Sequence, residues 1–275
     1  MQNYNWEKRG FFKMGYRNKN TGYVSDILAS RSVIKRANYA IIPPDGLVNN
    51  SIPGFENCEL SILATPKLGA SFVDYIITLL DGGQNKAGFG APGVETFFYC
   101  LEGRITVWAD DAKHTLEAGG YIYCPAGVIL KFENDNGGAN SEAFLYKKKY
   151  EAVAGYETHI IVNNVANLEK IAYEGMEDVI LQNLLPADLG FDMNFHILSF
   201  EPGACHGYIE THYQEHGAYM LSGEGVYNLD NEWVPVKKGD YLFMGAYVPQ
   251  ATYAVGRGEA FSYLYSKDCN RDPQL

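Results

Sequence analysis

The sequence predicts an all-β protein built from two tandem antiparallel barrels with few short helices. Three observations predict it. Short runs of β-branched and aromatic residues end in glycine turns, as where Ser71-Phe72-Val73-Asp74-Tyr75-Ile76-Ile77-Thr78-Leu79-Leu80 meets Asp81-Gly82-Gly83. Tyrosine is abundant, 21 of 275 residues, which suits strand walls better than helical bundles. The chain also repeats itself. Gly83, Glu95, Tyr99, Leu101, Gly103 and Gly119 recur, all at one constant offset, as Gly203, Glu215, Tyr219, Leu221, Gly223 and Gly239. Two copies of one β-unit follow, and many short strands with glycine turns make each a small closed sheet.

In chain order, residues 1–30 read as an N-terminal arm, with Lys8, Arg9, Lys13, Arg17 and Lys19 among polar and aromatic residues. Such an arm packs on its own domain or on a neighbouring subunit. Met1 and Met14 are both candidate translational starts. Residues 31–150 form the first barrel, in which Phe97-Phe98-Tyr99-Cys100-Leu101 and Ile105-Thr106-Val107-Trp108 are strands about Gly103. Residues 151–178 are polar and read as the linker, with a short helix expected over 165–171. Residues 179–275 form the second barrel, opening on Val179-Ile180-Leu181 and Asn194-Phe195-His196-Ile197-Leu198-Ser199-Phe200.

Composition narrows the classes. A net charge of −11 argues against nucleic acid or an anionic membrane as the main partner. No apolar run approaches the ~20 residues of a membrane helix, and the first residues lack an export signal. The five cysteines are odd in number and irregularly spaced, which fits reduced thiols in a cytoplasm; Cys205 reads as a small apolar strand residue rather than a nucleophile. A cytoplasmic homo-oligomer acting on a small molecule is the expectation.

The chemistry concentrates in Glu210-Thr211-His212-Tyr213-Gln214-Glu215-His216. On a strand, Glu210, His212 and His216 share one face, and Thr211, Tyr213 and Glu215 the other. Such a face can hold a divalent metal, and it is equally the pattern of a solvated strand. The flanking glycines add to it. Gly203 and Gly223 bracket the stretch, and Gly239 precedes Tyr241-Leu242-Phe243-Met244 and Gly245-Ala246-Tyr247-Val248-Pro249-Gln250. This layout resembles the two motifs of cupins, with the ligand positions on Glu210, His212, His216 and Gln250. The identities are permuted: Glu stands at the first His position, His at the usual Glu position and Gln at the last His position. The Pro-x-Gly turn of the second motif is replaced by Gly245-Ala246-Tyr247.

That set, with Phe191-Asp192-Met193-Asn194, His216-Gly217, Gly225-Val226-Tyr227, Val248-Pro249-Gln250 and the run from Tyr265 to Arg271, resembles the (S)-ureidoglycine aminohydrolases. The resemblance implies a bicupin, two double-stranded β-helix (jelly-roll) barrels in tandem. It implies hydrolysis of (S)-ureidoglycine to (S)-ureidoglycolate and ammonia in purine (allantoin) breakdown, with Mn²⁺ as cofactor. On ligand chemistry alone two imidazoles with Glu and Gln oxygens suit octahedral Mn²⁺ or Fe²⁺, and Fe²⁺ is the second choice. One metal per chain is expected, because the matching positions of the first copy are Gly90, Pro92, Thr96 and Leu130. Glu95 is then expected on a strand surface.

The resemblance also places Tyr263 and Lys267 in the pocket as catalytic residues, with Lys267 and Tyr227 binding substrate. His196 reads as a core imidazole and His206 as a residue of the pocket rim. Two other functions share the motif: an Fe²⁺-dependent cupin dioxygenase and a non-catalytic small-molecule-binding cupin.

Overall fold

The computed structural model describes residues 31–267 and Arg271; the expected arm over 1–30, Met14 and Cys269 lie outside the described residues. The described residues start with β1 (Val33–Lys35) and β2 (Tyr39–Ile42). The first barrel follows: β3 (Glu56–Ile62), β4 (Phe72–Phe89), β5 (Val94–Glu102), β6 (Arg104–Ala109), β7 (Ala112–Glu117), β8 (Gly120–Cys124), β9 (Leu130–Asn134) and β10 (Ser141–Lys149). Two short strands connect, β11 (Ile161–Asn164) and β12 (Ile171–Tyr173). The second barrel comprises β13 (Met176–Asn183), β14 (Asn194–Phe200), β15 (His216–Ser222), β16 (Glu224–Leu229), β17 (Glu232–Lys237), β18 (Tyr241–Met244), β19 (Gln250–Ala254) and β20 (Phe261–Lys267). Among the described residues no helix is long and apolar enough to cross a membrane.

Among the described residues all strand pairs are antiparallel, but the sheets do not divide at residues 150 and 179. In the first sheet the order is β11-β8-β5-β10-β4-β9-β6-β7, with β3 on β4; in the second it is β1-β2-β18-β15-β20-β14-β13-β12, with β17-β16-β19 as its partner. The two barrels therefore exchange strands. β2 precedes the first barrel yet pairs with β18 of the second, and β11 precedes the second barrel yet pairs with β8 of the first. The cause is burial. Every residue of β8 (Gly-Tyr-Ile-Tyr-Cys) and of β18 (Tyr-Leu-Phe-Met) is buried, so neither strand can leave its backbone edge open to solvent. The segment entering each barrel covers that edge in the other. Residues 165–171 accordingly hold only a short 3-10 turn, Val165–Asn167, capped by Asn164, before the chain extends again as β12.

Alternation along the strands feeds three cores. On β5, Phe98 and Cys100 face the interior of the first barrel, while Phe97 and Tyr99 face a third core between the barrels. There Phe97 and Phe195 stack with centroids 3.8 Å apart, a contact worth about 0.5–1.5 kcal/mol beyond its buried area. Tyr39 and Ile41 of β2 complete the interior of the second barrel.

Polar groups are buried at the same junction. The Tyr241 hydroxyl donates to Asp74 Oδ2 at 2.5 Å; at the exposed edge of the junction the Ser71 amide donates to Glu215 at 2.8 Å. Glu95, expected on a strand surface, is instead fully buried and accepts from the Tyr123 hydroxyl at 2.7 Å. Burial, then the neighbouring Asp192, push its carboxyl well above the usual range. Cys58, Cys100 and Cys124 are buried free thiols, each pushed up to about 12 by burial and so inert at neutral pH.

Candidate active site

The pocket exists because one strand of the repeat is broken. In the first barrel β4 runs on to Phe89 and pairs there with Leu130 of β9. In the second barrel the equivalent strand, β14, stops at Phe200. Pro202 has no N–H to give a ladder, and no strand resumes before β15. Residues 201–215 become a loop, held to β19 by single bridges at Cys205–Tyr253 and Glu210–Gln250. The Glu210 and Gln250 backbones exchange two hydrogen bonds of 2.9 Å, and the His212 carbonyl accepts from the Tyr247 amide at 2.7 Å.

Strand parity therefore does not bring Glu210, His212 and His216 together, because β15 begins only at His216. They line one pocket because the loop is clamped on β19, opposite the first residue of β15. Glu215 does point away, to Ser71 of the first barrel.

At the base of the pocket, His212 Nε2 and His216 Nε2 stand 3.3 Å apart, and the Gln250 side-chain amide is 2.9 Å from His212 Nε2. His216 Nδ1 donates to the Ser266 carbonyl at 2.7 Å, which puts its lone pair on Nε2. Burial pushes both imidazoles down, His216 well below its ordinary value with His212 as second cause, so both rings are neutral. Two nitrogens bound about 2.1 Å from one ion at right angles would lie about 3 Å apart, close to what is found. His212 Nδ1 is buried without a hydrogen bond. These residues fit a divalent metal with His212, His216 and Gln250 as its donors. Glu210 lines the same pocket, but among the described residues no three His, Cys, Asp or Glu side chains close on one point. Its carboxylate stands on the wall. Burial raises its pKa, and the positive charge of Lys267 opposes that rise.

Tyr227, Tyr263 and Lys267 line the pocket as well. The Tyr227 hydroxyl donates to the Tyr263 hydroxyl at 3.3 Å, and burial pushes both phenols up, so both stay protonated donors. All seven site residues named from the sequence thus share one cavity. His196 does not reach it: it is buried, bonded through Nδ1 to Asn183 at 2.8 Å and pushed down to about 3 by burial and Lys267. His206 lines the pocket and was placed at its rim.

Two lining tyrosines had not been singled out. Tyr265 packs edge-on against His216 with centroids 5.3 Å apart, and shares strand parity with Tyr263 and Lys267, a signal present in the sequence. Tyr173 comes from the segment read as linker, where nothing local marks it.

Two barrels of this topology, one carrying a pocket of imidazole, amide and carboxylate, define a bicupin. The family model for the cupin domain matches residues 79–141 and 196–264. The (S)-ureidoglycine aminohydrolase of Escherichia coli (strain K12) is 61% identical over 262 residues, covering 95% of this chain and 100% of that protein. The (S)-ureidoglycine aminohydrolase of Arabidopsis thaliana is 30% identical over 245 residues, 89% of this chain and 80% of its own. The crystal structure of protein Ylba from E. coli superimposes with a TM-score of 0.82 at 56% identity, over 92% of this chain and 100% of that one. The chain is an enzyme, and it belongs to the (S)-ureidoglycine aminohydrolase family.

Proposed function

We propose that this enzyme hydrolyses (S)-ureidoglycine to (S)-ureidoglycolate and ammonia, using one Mn²⁺ held by His212, His216 and Gln250, with Glu210 closing on the ion from the pocket wall when it binds and Fe²⁺ as the alternative ion. The observation that carries the metal is the pair of neutral imidazole nitrogens 3.3 Å apart with the Gln250 amide beside them. The 61% identity to a named aminohydrolase supports the reaction. In it the Cα–N bond to the amine breaks, a Cα–OH bond forms from water, and the amine leaves as ammonia. A divalent ion bound there supplies Lewis acidity towards oxygen ligands.

The chain's own residues do the rest. Lys267 offers a cation to the substrate carboxylate. Tyr227 and Tyr263 stay protonated and offer hydroxyls to the polar atoms around Cα. Tyr173 and Tyr265 narrow the pocket around a small substrate and limit its water.

The test is ammonia release from freshly generated ureidoglycine by metal-stripped and Mn²⁺-restored protein. Activity should vanish on stripping and return with the ion. His212→Ala and His216→Ala should each lose both bound metal and activity while remaining folded. Full metal occupancy in either variant would refute the donor set, and metal-independent release would refute the metal's role.

A further inference from the structure

His206 sits in the loop that replaces the strand, and its ring is held from three sides. Its own amide donates to the Thr252 carbonyl at 3.1 Å, and the Thr252 amide donates back to His206 Nδ1 at 2.9 Å. The ring packs edge-on against Phe200, centroids 5.0 Å apart, and against Tyr173 at 6.0 Å. A nitrogen that accepts an N–H must carry a lone pair, so the ring proton of the neutral imidazole resides on Nε2. The ring lines the pocket, and the described residues give Nε2 no hydrogen-bond acceptor. A fixed donor is therefore built into the wall, with nothing among the described residues to accept its hydrogen bond.

The charges beside the pocket are unevenly placed. The positive charge of Lys267 acts on His212, His216 and Glu210. Glu174 acts on His206 and also on Glu210, and burial pushes the His206 imidazole down to about 4, keeping it neutral. A carboxylate belongs at the Lys267 end. A neutral acceptor belongs at the His206 end, since a neutral N–H bonds a neutral oxygen without competing for the carboxylate.

We propose that the His206 Nε2–H donates to the ureido carbonyl oxygen of the substrate and so makes the pocket selective for a carbamoylated amine over other small carboxylates. This rests on the reaction assigned above. A site built to hydrogen-bond one group discriminates against compounds lacking it, because its own polar atom is then left unpaired.

The test uses two non-reacting ligands in Mn²⁺-containing buffer, with binding measured by calorimetry. Hydantoate (N-carbamoylglycine) keeps the ureido group and the carboxylate; glycolate keeps the carboxylate and has a hydroxyl in place of the ureido group. His206→Phe should weaken hydantoate roughly five- to fiftyfold and leave glycolate within about twofold. His206→Gln, whose amide can accept from Thr252 and donate onward, should recover most of the hydantoate affinity. Equal losses for both ligands, or none for hydantoate, overturn the proposal.

One arm needs no variant. Guanidinoacetate presents N–H donors where hydantoate has its carbonyl, and should bind wild type at least about tenfold more weakly. That expectation already includes the attraction of its cation to Glu174, and equal binding overturns the proposal even if His206→Phe fails to fold. Ammonia release by wild type is measured separately. Its absence sinks the reaction assignment, whereas the hydantoate contrast reads His206 alone.

Discussion

At Lys267 the contribution to binding can be separated from the contribution to chemistry. It ends β20, with its Cα opposite Asn194, and its charge reaches Glu210 and both imidazoles. Lys267→Met keeps the side-chain length and removes charge and donors, so metal content should persist. Losing a charge-assisted hydrogen bond costs about 1.5–3 kcal/mol, a roughly ten- to hundredfold fall in kcat/KM. A rise in KM alone identifies the substrate carboxylate as its partner. A fall confined to kcat identifies a proton transfer. Near wild-type kinetics would place Lys267 outside the site. Single residues were the scale most legible in the sequence: Glu210, His212, His216, Gln250, Tyr227, Tyr263 and Lys267 were all named there, and all line one pocket. Histidine, glutamate and lysine carry their chemistry in their identity. Tyr173 does not, since a tyrosine in a polar connecting segment matches many surface residues until the hairpin of β12 and β13 brings it to the pocket.

At the scale of elements, the site depends on one strand ending early and another starting tightly packed. β15 begins at His216, and the next residue, Gly217, lies against the first barrel. A Cβ on Gly217 would come within 2.0 Å of Asp74 Oδ2 and 2.6 Å of the Tyr241 hydroxyl. Both atoms belong to a buried hydrogen bond that links the barrels, so neither can withdraw freely. Gly217→Ala should cost about 1–3 kcal/mol, the usual range for overpacking, and lower Tm by several degrees. Gly217→Ala combined with Asp74→Ser should regain part of the loss by making room. An unchanged Tm in the single variant would mean that the junction yields. The sequence reading assumed a strand over 210–216, because period-two arguments take the extended backbone as given. Pro202 foreshadows the break. What the loop does after it is decided by bridges to β19, some forty residues downstream, which no local window contains.

At the scale of the whole molecule, the repeat was legible and its wiring was not. Glycines and aromatics recurring at one offset mark two copies of a barrel, because turns and core positions constrain residue identity. Strand exchange leaves no such trace. β2 reads Tyr-Ala-Ile-Ile and would suit either barrel; its destination follows from which edge needs cover. The exchange makes a prediction about autonomy. A fragment of residues 151–275 lacks β1 and β2, which leaves the β18 edge unpaired and removes Tyr39 and Ile41 from its core. It also carries β11 away from β8 of the first barrel. The fragment 1–150 has the converse defect and exposes Phe97, Phe144 and Tyr146 where the second barrel should lie. Losing one large core side chain alone costs about 2–5 kcal/mol, comparable to much of a domain's net stability of about 5–15 kcal/mol. Each fragment expressed by itself should therefore aggregate or show no cooperative thermal transition. Co-expressed, the two should assemble into a stable complex, since each then recovers the strand the other carries. A fragment of residues 151–275 that alone melts cooperatively near the Tm of the intact chain would show that the exchanged strands are decoration, and that the second barrel stands without them.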